Sequence, residues 1–525
     1  MRCQRTVTHP RYDACMPLSR RAFLAYIALA PFAEALARPR LANNPFALGV
    51  ASGYPQPDRV VLWTRLAPDP LAGGGMPKAA VEVEWEIATD EGFRRIVRRG
   101  REVAAPEFAH SVHAEAAGLE PSRWYWYRFR AGRDTSPVGR TRTAPAAGAA
   151  ADRLRFAFAS CQQYEQGYYA AYRHMAGEDL DLVIHLGDYI YESSWGRNHV
   201  RAHGTDEPVT LEEYRNRYAL YKSDADLQAV HAAFPWLVTW DDHEVQNDYA
   251  NDRSQGLDPR ELFLRRRAAA YQAYYEHMPL PAAMRPRGPN LQLYTRAAFG
   301  RLVEFSMLDT RQYRSHQVCP RPGRGGGNTF DADECRERLD DSLTMLGAAQ
   351  EKWLHDGLAA SHARWNLIAQ QTLMAQTDRQ PGEGRQFWSD GWDGYPKARG
   401  RLLKFIAGRR IANPVVIGGD VHMSAVADLK TDFGDARAPV VATEFVGTSI
   451  TSQGPSQKRV ETILAENPHI RFANGARRGY TVMEISTRRC LAHLRTLDDV
   501  RDPQSRIRTF TTFVVEDGTP GARQT

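Results

Sequence analysis

Cys161, Asp188, Tyr191, Asp242, Asp420 and His422 stand in four short segments, FASC, HLGDYIY, TWDDHE and IGGDVH. Each segment follows an apolar, strand-like run, as in RFAFAS and DLVIHLGD. In an open α/β sheet, ligands collect in the crevice at the carboxyl ends of the strands. Strands that end together in a thiol, a phenol, an imidazole and three carboxylates build a metal site with two compartments. Each segment alone is a weak signal. Their order, each behind a strand-like run, makes the signal strong.

This order resembles the calcineurin-like metallophosphoesterases, and within them the PhoD alkaline phosphatase/phosphodiesterase family. GDYIY, with Asp188 and Tyr191, matches the superfamily pattern GDxxY as it stands. The other segments depart from the superfamily in a PhoD-like way. Cys161 sits where an Asp is usual, DDHE replaces GNHE so that Asp242 takes the Asn position, and GDVH replaces GHxH so that Asp420 takes the first His. The resemblance implies a four-layer α/ββ/α sandwich, a small N-terminal β-domain, calcium as a cofactor, and phosphate mono- and diesters as substrates.

The residue types argue for particular metals. Cys161, Asp188, Tyr191 and His422 form the first compartment; phenolate with thiolate favours a hard, highly charged ion, here Fe³⁺. Asp242 and Asp420, with Asp188 shared as a bridge, form the second. Asn247, Gln370 or Gln371 is expected to complete it with an amide oxygen. A carboxylate-rich oxygen pocket favours Ca²⁺, or Mg²⁺ if small and octahedral. Such a pair of ions makes a centre for phosphoester hydrolysis that activates hydroxide. His243 is expected either to protonate the leaving alkoxide or to hold a phosphate oxygen, with a capping role as the other reading. Asp241 is expected to cap a helix starting at HEVQNDYA. Arg311 is expected to contact substrate; Trp388, Trp392 and Tyr395 either cover the pocket or pack on the surface.

The positioning elements read as α/β. Residues 1–37 resemble a twin-arginine signal, with Arg20 and Arg21 before a short apolar stretch ending in Ala35-Leu36-Ala37. The implied partner is the twin-arginine export machinery, and the implied location is outside the cytoplasm, secreted or periplasmic. Residues 38–143 read as a β-sandwich of fibronectin or immunoglobulin type, 144–152 as a low-complexity linker, and 153–525 as the catalytic domain. With 525 residues and 43% hydrophobic content the chain has ample material for packed cores. A formal charge of +6 with no basic run argues against a nucleic-acid-binding module, and the mature chain has no integral membrane segment. Cys319 and Cys335 flank a Gly-rich loop and are placed to pair after export, whereas Cys490 reads as buried and inert. Two other functions fit fewer of these residues: a phospholipase D-like diesterase acting on lipid or wall polymer, and a non-enzymatic surface-binding protein.

Overall fold

A computed structural model describes residues 43–525. The expected export signal, with Cys3 and Cys15, lies outside the described residues. The run RFAFA forms a strand at Arg153–Ala159, LVIH one at Leu182–His185 and PWLV one at Pro235–Val238, side by side and parallel. Leu182–His185 and Pro235–Val238 are buried along their whole length. Continuous apolar runs suit parallel strands, which are covered on both faces.

These three strands lie in the middle of a ten-stranded sheet. On one side an antiparallel ribbon extends it through Gly479–Ser486, Arg489–Leu497, Ile507–Glu516 and Thr519–Gln524. On the other side the extension comes from the N-terminal segment. Val50–Gly53 pairs parallel with Pro235–Val238, placing Ser52 opposite Pro235, and Arg59–Arg65 and Ser111–Ala117 follow. A five-stranded sheet that includes Val81–Ala88 and Trp124–Ala131 packs over these strands. Leu62 and Ala114 there meet Val83, Tyr127 and Phe129 in one core. The aromatic stripe alternates as its period of two requires, with Tyr125, Tyr127 and Phe129 inward. The N-terminal segment therefore contributes three strands, Val50–Gly53, Arg59–Arg65 and Ser111–Ala117, to this sheet.

A second, seven-stranded sheet contains Val303–Met307, Trp365–Ala369, Pro414–Gly418 and Val440–Val446 in parallel succession. Its residues alternate between two cores. Val415 and Ile417 join the core shared with the first sheet, while Val416 joins helices Gly347–Ala360, Pro396–Arg409 and Gln457–Glu466. Phe156 and Phe305 meet edge to face across the sheets at 5.3 Å. Burying one such side chain contributes about 1.5–3 kcal/mol. This packing sets the carboxyl ends of both sets of parallel strands beside one another. A long helix spans Arg260–His277. Its face is less basic than the sequence suggests, because Arg266 and Arg267 turn inward to Glu207 and to the Asn251 carbonyl.

Candidate metal centre and active-site cleft

The motif residues are held in backbone conformations that side chains rarely adopt. Cys161, Asp188, Asp420 and His422 have φ of 58°, 55°, 63° and 53°. A non-glycine residue in that left-handed region costs of order 1–3 kcal/mol and persists where its surroundings over-determine it. The surroundings here are the other motifs. Cys161 N–H donates to the Gly187 carbonyl at 3.1 Å, and Gln162 N–H to the Asp188 carbonyl at 3.1 Å. The motif glycines mark the closest approaches: a Cβ on Gly187 would lie 2.5 Å from the Asp241 Cβ, and one on Gly419 2.3 Å from the Ser160 Oγ.

Cys161, Asp188 and His422 each bring a donor atom within 4.8 Å of the other two. Tyr191 Oη joins them, donating to Asp188 Oδ2 at 3.0 Å and lying 3.2 Å from His422 Nε2. Ser452 Oγ lies 2.8 Å from both that phenol oxygen and the Cys161 carbonyl. His422 Nδ1 faces the Gln453 carbonyl at 3.0 Å, and donating there leaves Nε2 with its lone pair towards the group. Burial, with Arg478 beside it, pushes His422 down to about 3, so it is neutral and able to ligate. Burial, reinforced by the Asp188 charge, pushes the Cys161 thiol and the Tyr191 phenol well up. Their anionic forms need a cation, and the donor set fits one.

A second close group is Asp188, Asp242 and His243. Asp188 therefore belongs to both groups. Its Oδ1 is buried without a hydrogen-bond partner, and so is Asp242 Oδ1. Two orphaned carboxylate oxygens at one centre are what a pair of cations would occupy. Asp242 Oδ2 accepts the Asp248 N–H at 2.6 Å. Burial opposes ionisation of Asp242, but Arg311 and His243 hold it down at about 2. Asp420 joins neither close group among the described residues. It accepts from Thr372 Oγ1 at 2.5 Å and is pushed up to about 7, by burial first and then by Asp242 and Asp390 against the pull of Arg311. Gln370 and Gln371 are committed elsewhere. Gln370 Oε1 receives the Thr372 N–H and the Trp392 indole N–H, and Gln371 bridges Thr310 to Thr239 and the Leu308 carbonyl. Asn247, half-buried and five residues after Asp242 in the chain, remains the amide candidate.

Three expectations need correction. Arg311 lies beneath the centre, 1% exposed, bonding Asp241 and Asp390 and lying 3.6 Å from Asp242, so it holds carboxylates. Asp241 caps no helix, because the segment after it runs in turns; it anchors Arg311 instead. Tyr395 is fully buried and donates to the Ser315 carbonyl at 2.7 Å. Trp388 and Trp392 do line the cleft, together with Trp195, Thr372, Asp420 and His422, around a volume of about 540 Å³. Trp195 stacks on the His422 ring at 5.5 Å.

Sequence reading missed the residues that hold the ligands. Glu192 Oε2 lies 2.6 Å from His243 Nδ1, and its Oε1 accepts the Asn247 N–H at 2.8 Å. Glu244 accepts backbone N–H groups of Asp188, Tyr189 and Asp241 at 3.0, 2.6 and 2.8 Å, clamping two motif turns together. Burial opposes the charge on His243, yet Glu192, Asp242 and Asp188 outweigh it and raise its pKa well above the ordinary value. The available signal was adjacency: Glu192 follows GDYIY and Glu244 follows His243.

Comparison with known proteins agrees with this geometry. Residues 156–494 match the family model of the PhoD-like phosphatase, and residues 32–145 that of the PhoD-like phosphatase N-terminal domain. The chain is 50% identical over 501 residues to alkaline phosphatase D of Bacillus subtilis, covering 94% of this chain and 84% of that protein. A solved structure titled "Structure of PhoD" superposes with a TM-score of 0.88 at 49% identity, covering 93% of each chain. With the motif residues gathered at one centre and both segments matched, the chain belongs to the PhoD-like phosphatase family and is a phosphoric ester hydrolase.

Proposed function

We propose that this chain is an exported hydrolase of phosphate mono- and diesters, with Fe³⁺ held by Cys161, Asp188, Tyr191 and His422. Ca²⁺ would be held by Asp188, Asp242, Asp420 and Asn247. The observation that carries the reading is Asp188, which stands in both close donor groups with one oxygen buried and unpartnered. Thiol and phenol donors favour the ferric ion, and the all-oxygen set favours calcium. Such a pair, when bound, stabilises charge on the phosphoryl oxygens and supplies a hydroxide nucleophile. The chain's own residues do the rest. Glu192 fixes His243 through Nδ1, leaving Nε2 as the proton donor to the departing alkoxide. Arg311 keeps Asp241 and Asp242 in place from below, and the wall of tryptophans excludes water from one side of the cleft. The alternation of the second sheet's side chains between two cores supports reading the domain as a four-layer sandwich. No described helix is long and apolar enough to cross a membrane, and the arginine pair near the N-terminus supports export.

The test is metal analysis and visible spectroscopy of the native protein, alongside hydrolysis of p-nitrophenyl phosphate and bis(p-nitrophenyl) phosphate. Iron and calcium are expected, with a visible band that Tyr191→Phe bleaches or shifts while far-ultraviolet dichroism is unchanged. A calcium-specific chelator should remove activity, and Ca²⁺ should restore it better than Zn²⁺. A colourless native enzyme holding only zinc would overturn the metal assignment.

A further inference from the structure

Beyond the metal ligands the cleft wall turns basic. Arg321, Arg379 and Arg459 line it in the same cavity as Asp420 and His422. Arg379 Nε is buried there without a hydrogen-bond partner. The guanidinium lies over the Trp388 ring, 5.3 Å from its centroid, which restrains its plane. Of the acids in the same cavity wall, Asp393 is bonded to Arg399 at 2.6 Å and Asp248 accepts the Gly327 N–H at 2.9 Å. Arg459 is close enough for its charge to act on Arg379. Two like charges in one wall, with these acids engaged elsewhere, are an arrangement that a bound anion relieves.

The backbone adds to the same field. Arg459 lies in the first turn of helix Gln457–Glu466, whose first turn holds no acid. Gly454 and Pro455, immediately before that helix, line the cleft, so its N-terminal end borders the wall. Ser456 Oγ caps the Arg459 N–H at 3.4 Å, and the aligned peptide dipoles of the helix still favour an anion at its start.

We infer that Arg379 and Arg459, with the start of helix Gln457–Glu466, form an anion subsite that receives a second negatively charged group of the substrate. This rests on the phosphoesterase reading above. The reacting phosphoryl group sits at the motif residues, and a phosphate or carboxylate further along the same molecule sits on the arginines. Esters with a charged tail are then preferred over esters of plain alcohols.

The experiment titrates metal-loaded wild type, Arg379→Gln and Arg459→Gln with alkylphosphonates that carry or lack a terminal carboxylate, and measures p-nitrophenyl phosphate hydrolysis alongside. Wild type should bind the carboxylate-bearing phosphonate about tenfold more tightly, one charge-assisted hydrogen bond's worth. That preference should fall towards unity in both variants. Arg459 is exposed, so its replacement tests the subsite without disturbing a buried group. Equal affinity of wild type for the two phosphonates, or an undiminished preference in both variants, would overturn the inference. A wild type that hydrolyses no ester yet keeps the preference would sink the phosphoesterase reading and uphold the subsite.

Discussion

Replacing Glu192 by Gln removes a negative charge from behind His243 while keeping the shape of the side chain. Both residues are buried, and the bond between them is 2.6 Å long. A hydrogen bond to a charged group contributes about 1.5–3 kcal/mol, equivalent to about 10- to 100-fold in equilibrium or rate. The sign follows from the direction of the shift. His243 is raised above its ordinary value, so its proton is present at low pH and lost as pH rises through the raised value. Removing the Glu192 charge lowers that value, and the alkaline limb of the rate profile moves to lower pH. The assay is kcat/KM against pH for an alkyl phosphate and for p-nitrophenyl phosphate, in wild type, Glu192→Gln and His243→Ala, with metal content measured throughout. The alkyl ester should lose about 10- to 100-fold at alkaline pH in Glu192→Gln, while the nitrophenyl ester, whose leaving group departs unaided, loses far less. An unmoved alkaline limb, or equal losses on both esters with metals retained, would refute the proton-donor role and leave His243 as a phosphate holder.

Asp188→Asn should lose both metals and activity towards every ester, because one carboxylate serves both donor groups; intact activity with full metal content would overturn the two-metal reading. The Cys319–Cys335 disulfide closes a loop of sequence separation 16, and in the chain-entropy model that stabilises by about 3 kcal/mol. Cys319→Ser with Cys335→Ser should therefore lower Tm. The double variant should also weaken substrate binding, since the loop carries Arg321 and Thr329 to the cleft and the Gly327 N–H to Asp248 at 2.9 Å; an unchanged Tm and KM would show that the loop holds itself.

What the sequence made legible follows from local geometry. Cys161, Asp188, Tyr191 and His422 directly follow apolar runs, and a buried parallel strand delivers its next residues to the carboxyl-end crevice. Their convergence in the fold is the direct consequence. The supports of those ligands were not legible, because they act across long stretches of chain. Gln371 reaches Thr239, 132 residues away, and Arg311 reaches Asp241, 70 residues away. An arginine near a phosphatase centre invites a substrate role on chemistry alone; only burial shows that its guanidinium is already spent on carboxylates. The pairing of the N-terminal strands was not legible for a similar reason. Alternation in a strand reveals which face is buried, but it carries nothing about whether Ser52 lies beside Pro235.

The arrangement of charge explains why the centre is built on strained turns. Asp188, Asp241, Asp242 and Glu244 are buried, with Asp248 and Asp420 half-buried near them, against Arg311 and His243. Burial pushes Asp188 and Asp241 well up, Asp248 and Asp420 to about 7, and Glu244 to about 8; Asp242 alone is held low. In the absence of cations, acids so placed take up protons, because a buried uncompensated carboxylate is more costly than a neutral one. Binding of cations must displace those protons, so affinity for the metals rises with pH. The thiol and phenol add to the same dependence, since both must ionise to ligate. The turns at Cys161, Asp188, Asp420 and His422 keep left-handed backbone conformations that their surroundings enforce. Glu244 ties the Asp188 turn to Asp241, and Gln371 links Thr310 to Thr239. A site organised in this way would gain its selectivity from donor type and spacing, and cations binding there would displace protons from these acids.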